Sequence, residues 1–133
     1  MDCTLFEKYK AELEEELDLS DFNMKDVQMR MPAVKHKWVA RLIQQKIELN
    51  KFKKLKIEAI EAVVDKLRRE NAVLLSDHAL AKQAEKNETI QKILLKMEEC
   101  EILIDYLEKV EKVCSSTSYD IKNLVDIKKL ELT

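Results

Sequence analysis

The sequence predicts an all-α protein, and three observations support this. The 133 residues include no glycine and one proline, Pro32, so tight β-hairpin turns, which need positive backbone angles, are hard to build. Charged residues make up 38% and hydrophobic residues 46%, a balance that suits amphipathic helices. Apolar residues recur at intervals of three and four, as on one face of a helix. The length fits a single helical domain over residues 1–133.

The first element is a short acidic helix within an acidic N-terminal segment, residues 1–30. Thr4 and Glu7 have the spacing of a capping box, which satisfies the first free amides of a helix. "LDLSDFN" is expected to end the helix, since its serine, aspartates and asparagine compete for backbone hydrogen bonds. The predicted buried face consists of Phe6, Tyr9, Leu13 and Leu17.

The second element is a long basic helix in residues 31–75, and we expect it to start at Pro32. Proline is tolerated in the first turn because its missing amide has no partner within the helix. "SDHALAKQAEKNET" interrupts the pattern and predicts a helix break or a polar connection. The apolar stripe of this helix consists of Trp38, Leu42, Leu49, Phe52, Ile60, Val63, Leu67 and Leu74.

The C-terminal part, residues 87–133, is expected to hold two helices. The first, residues 87–114, carries two adjacent apolar rows, and "SSTS", residues 115–118, predicts a stop followed by a new N-cap. One partner helix covers only one such row, so these helices are expected to form a ring-like homo-oligomer. The candidate interface residues are Ile93, Met97, Leu103, Ile104, Leu107, Val110, Leu124 and Ile127.

Charge is concentrated in residues 35–56, where eight lysine or arginine residues face one acid, Glu48, within a chain of net charge −2. Lys53 and Lys56 lie towards the apolar side of the helix, which indicates a locally open surface because burying an unpaired charge is costly. The candidate anion-binding residues are Lys35, Lys37, Arg41, Lys51, Lys53, Lys54 and Lys56.

Three interpretations of the basic segment stay open on the residues alone. The lysines form a solvated face that pairs with acids on neighbouring helices, or they lie on an acidic membrane surface, or they neutralise the phosphates of a nucleic acid. The membrane is the weakest, since other segments must cover this helix. Trp38 and Phe52 are core residues by their spacing rather than base-stacking platforms.

No catalytic, metal or cofactor site is predicted. Phosphate-binding loops need glycine, and this chain has none. Cys100 and Cys114 fall on an apolar helical row and are expected in the core, and His36 and His78 lack the spacing of zinc ligands. We therefore predict a protein that is not an enzyme and needs no cofactor. The first ten residues lack the apolar run of a signal peptide, and no apolar stretch reaches membrane-spanning length, which predicts a cytoplasmic protein.

Three stretches, "HKWVARLIQQKIELNKFKKLK", "ILIDYLEKVEKV" and "YDIKNLVDIKKLE", resemble the UvsY family of phage recombination mediators. The resemblance covers most of the chain, and the last stretch is the most specific. It implies a helical, non-enzymatic hexamer or heptamer in the host cytoplasm that acts in recombination, repair and recombination-dependent replication. The implied partners are single-stranded DNA, a UvsX-like phage recombinase and the phage single-stranded DNA-binding protein.

The family resemblance also points to individual residues. A Lys-x-Arg element of the basic helix contacts DNA in the family, and Lys66-Leu67-Arg68 has this spelling, whereas ungapped alignment from Trp38 places the element several residues earlier. Both the Lys66/Arg68 pair and the lysines at 51–56 are therefore candidates. The alternative function is a structural or chaperone-like helical oligomer that does not bind DNA.

Overall fold

The computed structural model describes residues 1–70 and 75–132, and within these ranges the chain forms four α-helices and no strand. The all-α prediction is therefore confirmed. Leu74, the last residue of the predicted apolar stripe, lies outside the described residues. The helices are α1 (Thr4–Glu16), α2 (Met24–Glu70), α3 (Asp77–Ala84) and α4 (Glu88–Glu131).

The capping box predicted at the start of α1 does not form. The carboxylate of Asp2 instead accepts hydrogen bonds from the backbone amide of Thr4 at 2.9 Å and from its hydroxyl at 2.6 Å. The amide of Glu7 bonds to the carbonyl of Cys3 at 3.0 Å. An aspartate two residues ahead of Thr4 thus competes for the same hydroxyl, and this local contact overrides the Thr-x-x-Glu spacing.

The turn after α1 forms where the sequence predicts it. The Asn23 side chain accepts a hydrogen bond from the amide of Ser20 at 2.7 Å and donates one to the carbonyl of Asp18 at 2.8 Å. These side-chain contacts satisfy backbone groups that a continuing helix would have paired. α1 therefore ends at Glu16.

α2 begins at Met24, so the prediction that it starts at Pro32 is wrong. Met24, Val27 and Met31 are buried at spacings of three and four, and the helix they belong to begins about two turns before Pro32. Each buried side chain stabilises the fold by about 1.5–3 kcal/mol. Together they outweigh the helical hydrogen bond that Pro32 cannot donate to the carbonyl of Gln28.

The stretch between the two long helices contains a helix of its own. Ser76 caps α3 by accepting a hydrogen bond from the amide of Ala79 at 3.2 Å. Leu80 and Ala84, spaced by four, are both buried. The predicted polar connection is therefore wrong for residues 77–84. A break does occur between Ala84 and Glu88, the end of α3 and the start of α4.

α4 continues through "SSTS", so the predicted stop and new N-cap at residues 115–118 are wrong. Cys114, Thr117 and Ile121 are buried at spacings of three and four, which extends the apolar row of the helix across the serines. The Thr117 hydroxyl donates to the carbonyl of Val113 at 2.9 Å. This back-bonding pairs the buried hydroxyl without interrupting the helix.

The chain divides into two compact units. The middle unit comprises Gln45–Ile102 together with Met1, and the terminal unit comprises Asp2–Gln44 and the chain from Leu103 onward. The terminal unit has the larger apolar core, formed by Tyr9, Leu13, Met24, Val27, Met31, Trp38, Leu42, Leu103, Leu107, Val110, Cys114 and Ile121. In the described part of the middle unit, the buried side chains are Gln45, Leu80, Ala84, Ile90 and Cys100.

Candidate nucleic-acid interface

Two of the predicted DNA-binding residues, Lys37 and Arg41, form ion pairs with α1 inside the terminal unit. The ammonium of Lys37 lies 2.9 Å from a carboxylate oxygen of Glu12 and 2.7 Å from one of Glu16. The guanidinium of Arg41 binds both oxygens of Glu12, at 2.7 and 3.2 Å. These four residues are the ion-pair cluster. Their charges are compensated within the chain, as the interpretation of a paired helix face expects for this part of α2.

Aromatic rings complete the ion-pair cluster. Trp38 is 2% exposed, and its indole nitrogen donates to Glu16 at 3.1 Å. Its ring meets that of Tyr9 edge to face, with centroids 5.5 Å apart, and the Arg41 guanidinium lies 4.6 Å from the Tyr9 centroid. The prediction that Trp38 is a core residue rather than a base-stacking platform is confirmed.

The ion-pair cluster shifts the pKa values of its members. Hydrogen bonds from Arg41 and Lys37 lower the pKa of Glu12 to about 2. Burial by itself would lower the pKa of Lys37, but hydrogen bonds to Glu16 and Glu12 outweigh this effect and raise it. Both groups are therefore charged at neutral pH. Pairing of the basic helix with acids on neighbouring helices was one of the open interpretations, but the sequence did not single out Glu12 and Glu16, although their spacing of four on α1 was the available signal.

Lys35 is half-buried at the edge of a small apolar cavity in the terminal unit. The cavity holds about 80 Å³ and is lined mainly by Trp38, Val39, Leu42, Leu107 and Cys114. Lys35 forms no ion pair with any residue in the described ranges. A side chain placed in this way extends its methylenes over apolar surface and keeps its ammonium near water.

The lysine segment, defined as Lys51, Lys53, Lys54 and Lys56 on α2 in the middle unit, is arranged differently. Lys51, Lys53 and Lys54 are exposed and Lys56 is half-buried. Lys51 lies 3.4 Å from Glu48 in an exposed contact, which contributes little free energy. The other three form no ion pair within residues 1–70 and 75–132. The lysine segment is therefore a group of cations that the described part of the chain hardly compensates.

Lys66 and Arg68, the pair that matches the Lys-x-Arg element, are both exposed near the end of α2. The guanidinium of Arg68 forms an ion pair with Asp77, the first residue of α3. The next residue, Arg69, bonds to the carbonyl of Asp65 at 3.3 Å. Lys66 has no ion pair in the described ranges. Its charge is therefore available to an anion, whereas that of Arg68 is paired with Asp77.

The candidate interface residues of α4 differ in exposure. Leu103, Leu107 and Val110 are buried in the core of the terminal unit, so the chain itself covers them. Ile93, Met97 and Ile104 are half-buried. Leu124 and Ile127 are 38% and 51% exposed, which makes them the two of this set that present open apolar surface. Their role in self-assembly stays a prediction.

No group of three histidine, cysteine, aspartate or glutamate residues in the described ranges has an arrangement that holds a metal ion. Cys100 and Cys114 are buried, as predicted, and burial raises the pKa of both thiols. None of the described helices is apolar over a stretch long enough to cross a bilayer.

The fold is similar to that of two crystal structures of the recombination mediator protein UvsY of bacteriophage T4. The lattice type IV structure matches with a TM-score of 0.81 and 16% sequence identity, covering 94% of this chain and 97% of that one. For the lattice type II structure the TM-score is 0.79 and the identity 15%, with 96% and 97% covered. No protein-family model and no curated protein matches the sequence. The chain therefore has the fold of UvsY, as its sequence motifs suggested.

Proposed function

We propose that this protein is a recombination mediator that binds single-stranded DNA through the lysine segment of α2. The observation that carries the proposal is the concentration of four lysines at residues 51–56, of which only Lys51 has an ion pair in the described ranges, on a fold similar to that of a phage recombination mediator. Lysine ammonium groups neutralise phosphates and release counterions, which favours binding without sequence preference. Lys37 and Arg41 contribute to folding instead, because Glu12 and Glu16 already bind them.

The proposal extends to partners and assembly. The protein acts in the host cytoplasm as a homo-oligomer, a hexamer or heptamer, and has no catalytic activity of its own. It loads a UvsX-like phage recombinase onto strands coated by the phage single-stranded DNA-binding protein, in recombination, repair and recombination-dependent replication. Lys66 supplies a further phosphate contact, and Arg68 supplies one when it leaves Asp77.

The test is a salt titration of binding to a fluorescent single-stranded oligonucleotide. One variant replaces the four lysines of the lysine segment with alanine. Its control replaces four exposed lysines of α4, which removes the same charge from another surface: Lys92, Lys96, Lys109 and Lys112. If all four lysines of the segment contact phosphates, the slope of log K against log salt becomes shallower by roughly 3. The control is expected to keep the slope of the native protein.

The outcomes separate the two functions that the sequence leaves open. Equal loss of affinity in both variants means that net charge alone attracts the strand, and it overturns the assignment of the lysine segment. A native protein that does not bind single-stranded DNA at low salt supports the alternative of a structural or chaperone-like oligomer. Circular dichroism of each variant verifies that the helices persist, as expected because all the replaced lysines are exposed except the half-buried Lys56.

Loading activity needs its own measurement. The DNA-dependent ATPase of the phage recombinase is followed on a strand already coated by the phage single-stranded DNA-binding protein. Addition of this protein is expected to shorten the lag before ATP hydrolysis, and addition of the quadruple lysine variant is expected to leave the lag unchanged. An unchanged lag with the native protein contradicts the mediator role but leaves DNA binding intact.

A further inference from the structure

Three large aliphatic residues lie exposed on α2 among the lysines of the middle unit. Ile47, Leu55 and Ile57 are 44%, 47% and 59% exposed. All three are more exposed than Leu49 and Phe52, the half-buried residues on the same stretch of the helix. We call these three residues the aliphatic strip.

Each member of the aliphatic strip lies within one helical turn of a member of the lysine segment. Lys51 is four residues from both Ile47 and Leu55, and Lys54 is three residues before Ile57. Residues three or four apart are neighbours on a helix surface. The solvent-facing side of α2 therefore alternates aliphatic side chains with ammonium groups.

The positive charge around the aliphatic strip determines which kind of molecule can bind there. Single exposed aliphatic residues are common on protein surfaces. Ile47, Leu55 and Ile57 lie within eleven residues and alternate around the helix with Lys51 and Lys54. The aliphatic strip of a second copy is surrounded by the same lysines, so like charges oppose direct pairing of the two strips. A polyanion that also has apolar faces can contact both the lysines and the aliphatic residues. Single-stranded DNA is such a ligand, because its phosphates are anionic and its unstacked bases are apolar on both sides.

We propose that the aliphatic strip contacts the nucleobases of the bound strand while the lysine segment contacts its phosphates. The inference rests on the proposed DNA-binding function and names the residues that make binding selective for single strands. In a duplex the faces of the bases are stacked on one another, so only the phosphates are available to this surface. The lysine segment therefore supplies the salt-dependent part of binding, and the aliphatic strip supplies a part that does not depend on salt.

The test compares a triple variant, Ile47→Ala with Leu55→Ala and Ile57→Ala, with a matched control. The control replaces three similarly exposed aliphatic residues of α4, Leu95, Ile102 and Val113, which are 39%, 46% and 45% exposed. Ile102 follows Glu98 and Glu99 and precedes Asp105, so its surroundings are acidic. Binding to a single strand, to the corresponding duplex and to an abasic strand is measured over a range of salt concentrations.

We expect the triple variant to bind the single strand on the order of tenfold more weakly at every salt concentration, with an unchanged salt slope. Its affinity for the duplex and for the abasic strand is expected to equal that of the native protein. The control variant should bind all three probes as the native protein does. If the triple variant loses helicity, the single variant Leu55→Ala carries the same test.

Two results overturn this inference without touching the proposed function. One is native affinity for the single strand in the triple variant while the quadruple lysine variant is weakened. The other is an equal loss on all three probes, which means that the bases are not contacted. A triple variant that binds DNA normally but fails to shorten the recombinase lag identifies the strip as a protein-binding surface. Failure of the quadruple lysine variant to weaken binding instead contradicts the proposed function itself.

Discussion

Glu12 connects α1 to α2 through two bases at once, and its charge contributes to the stability of the terminal unit. Arg41 and Lys37 lower its pKa from 4.5 to about 2. Its side chain is 31% exposed, so solvent screens part of this interaction. We expect Glu12→Gln to lower the free energy of unfolding at pH 7 by about 1–2 kcal/mol, since two bases then lose a charged partner.

The lowered pKa of Glu12 determines at which pH this contribution to stability is lost. Because the pKa of Glu12 is lower in the folded protein than in the unfolded chain, its contribution is fully present above pH 4.5 and is lost as the pH falls towards 2. The difference between native protein and variant, measured by urea denaturation, should therefore shrink over that range. Glu15→Gln, a change at an exposed position on the same helix, should stay within about 0.5 kcal/mol of the native protein. A constant difference down to pH 2 contradicts the account.

The ion-pair cluster also shows where prediction of single site residues from sequence fails. Lys37 and Lys54 lie on the same helix, and both were predicted to be available to an anion. Lys37 pairs with Glu12 and Glu16, whereas Lys54 is exposed and unpaired among the residues described. The difference depends on which face of α1 packs against α2. Helical spacing identifies the polar face of each helix but not the face that its neighbour covers.

Among the helices, the continuity of α4 through "SSTS" is directly testable. Ser115 and Ser116 are exposed, and alanine has the higher helix propensity, by up to about 0.5 kcal/mol per residue. We expect the double variant Ser115→Ala with Ser116→Ala to raise the free energy of unfolding by about 0.5–1 kcal/mol in urea denaturation.

If a new helix began at residues 115–118, the double variant would instead be expected to be less stable than the native protein. Loss of an N-cap serine costs about 0.5–2 kcal/mol, so destabilisation of the double variant is evidence against a continuous α4. Thr117→Ala serves as a comparison, because it removes the buried hydroxyl that bonds to Val113. That change is expected to have a small effect on the free energy of unfolding, because removal of the hydroxyl leaves no buried donor without a partner.

The sequence identified the fold class and the helical regions, although it divided α4 into two helices, because absence of glycine and apolar spacing are properties of the chain itself. It failed at the helix boundaries. Pro32 and "SSTS" are local signals that usually mark helix ends, yet buried side chains such as Met24 and Ile121 continue the apolar rows beyond them. Local preferences of about 1–3 kcal/mol were outweighed by burial, which depends on the packing of distant segments.

For the molecule as a whole, the proposed self-assembly depends on the exposed apolar end of α4. Leu124 and Ile127 remain open in the single chain, unlike Leu107, which is buried in its core. We expect Leu124→Asp with Ile127→Asp to convert the oligomer to monomers in sedimentation velocity, since two charges would have to be buried in the interface. Helicity should be retained because both positions are exposed in the chain.

DNA binding should weaken together with assembly in this variant. Several basic helices acting on one strand gain affinity through avidity without any new contact. The control adds the same two charges at other exposed positions, Leu95→Asp with Ile102→Asp, and should remain oligomeric. A native protein that sediments as a monomer contradicts the assembly proposal. A monomeric variant that binds DNA as tightly as the native protein contradicts the avidity argument.

Because Trp38 is buried, its intrinsic fluorescence reports on the packing around it. It is the one tryptophan of the sequence, enclosed by Tyr9, Lys37 and Arg41 and bonded to Glu16. Its fluorescence emission therefore records the docking of α1 on α2 in the terminal unit. A red shift signals water reaching the indole as that docking is lost. The lysine segment and the aliphatic strip belong to the middle unit, so intrinsic fluorescence and a labelled oligonucleotide report two separate events in one cuvette.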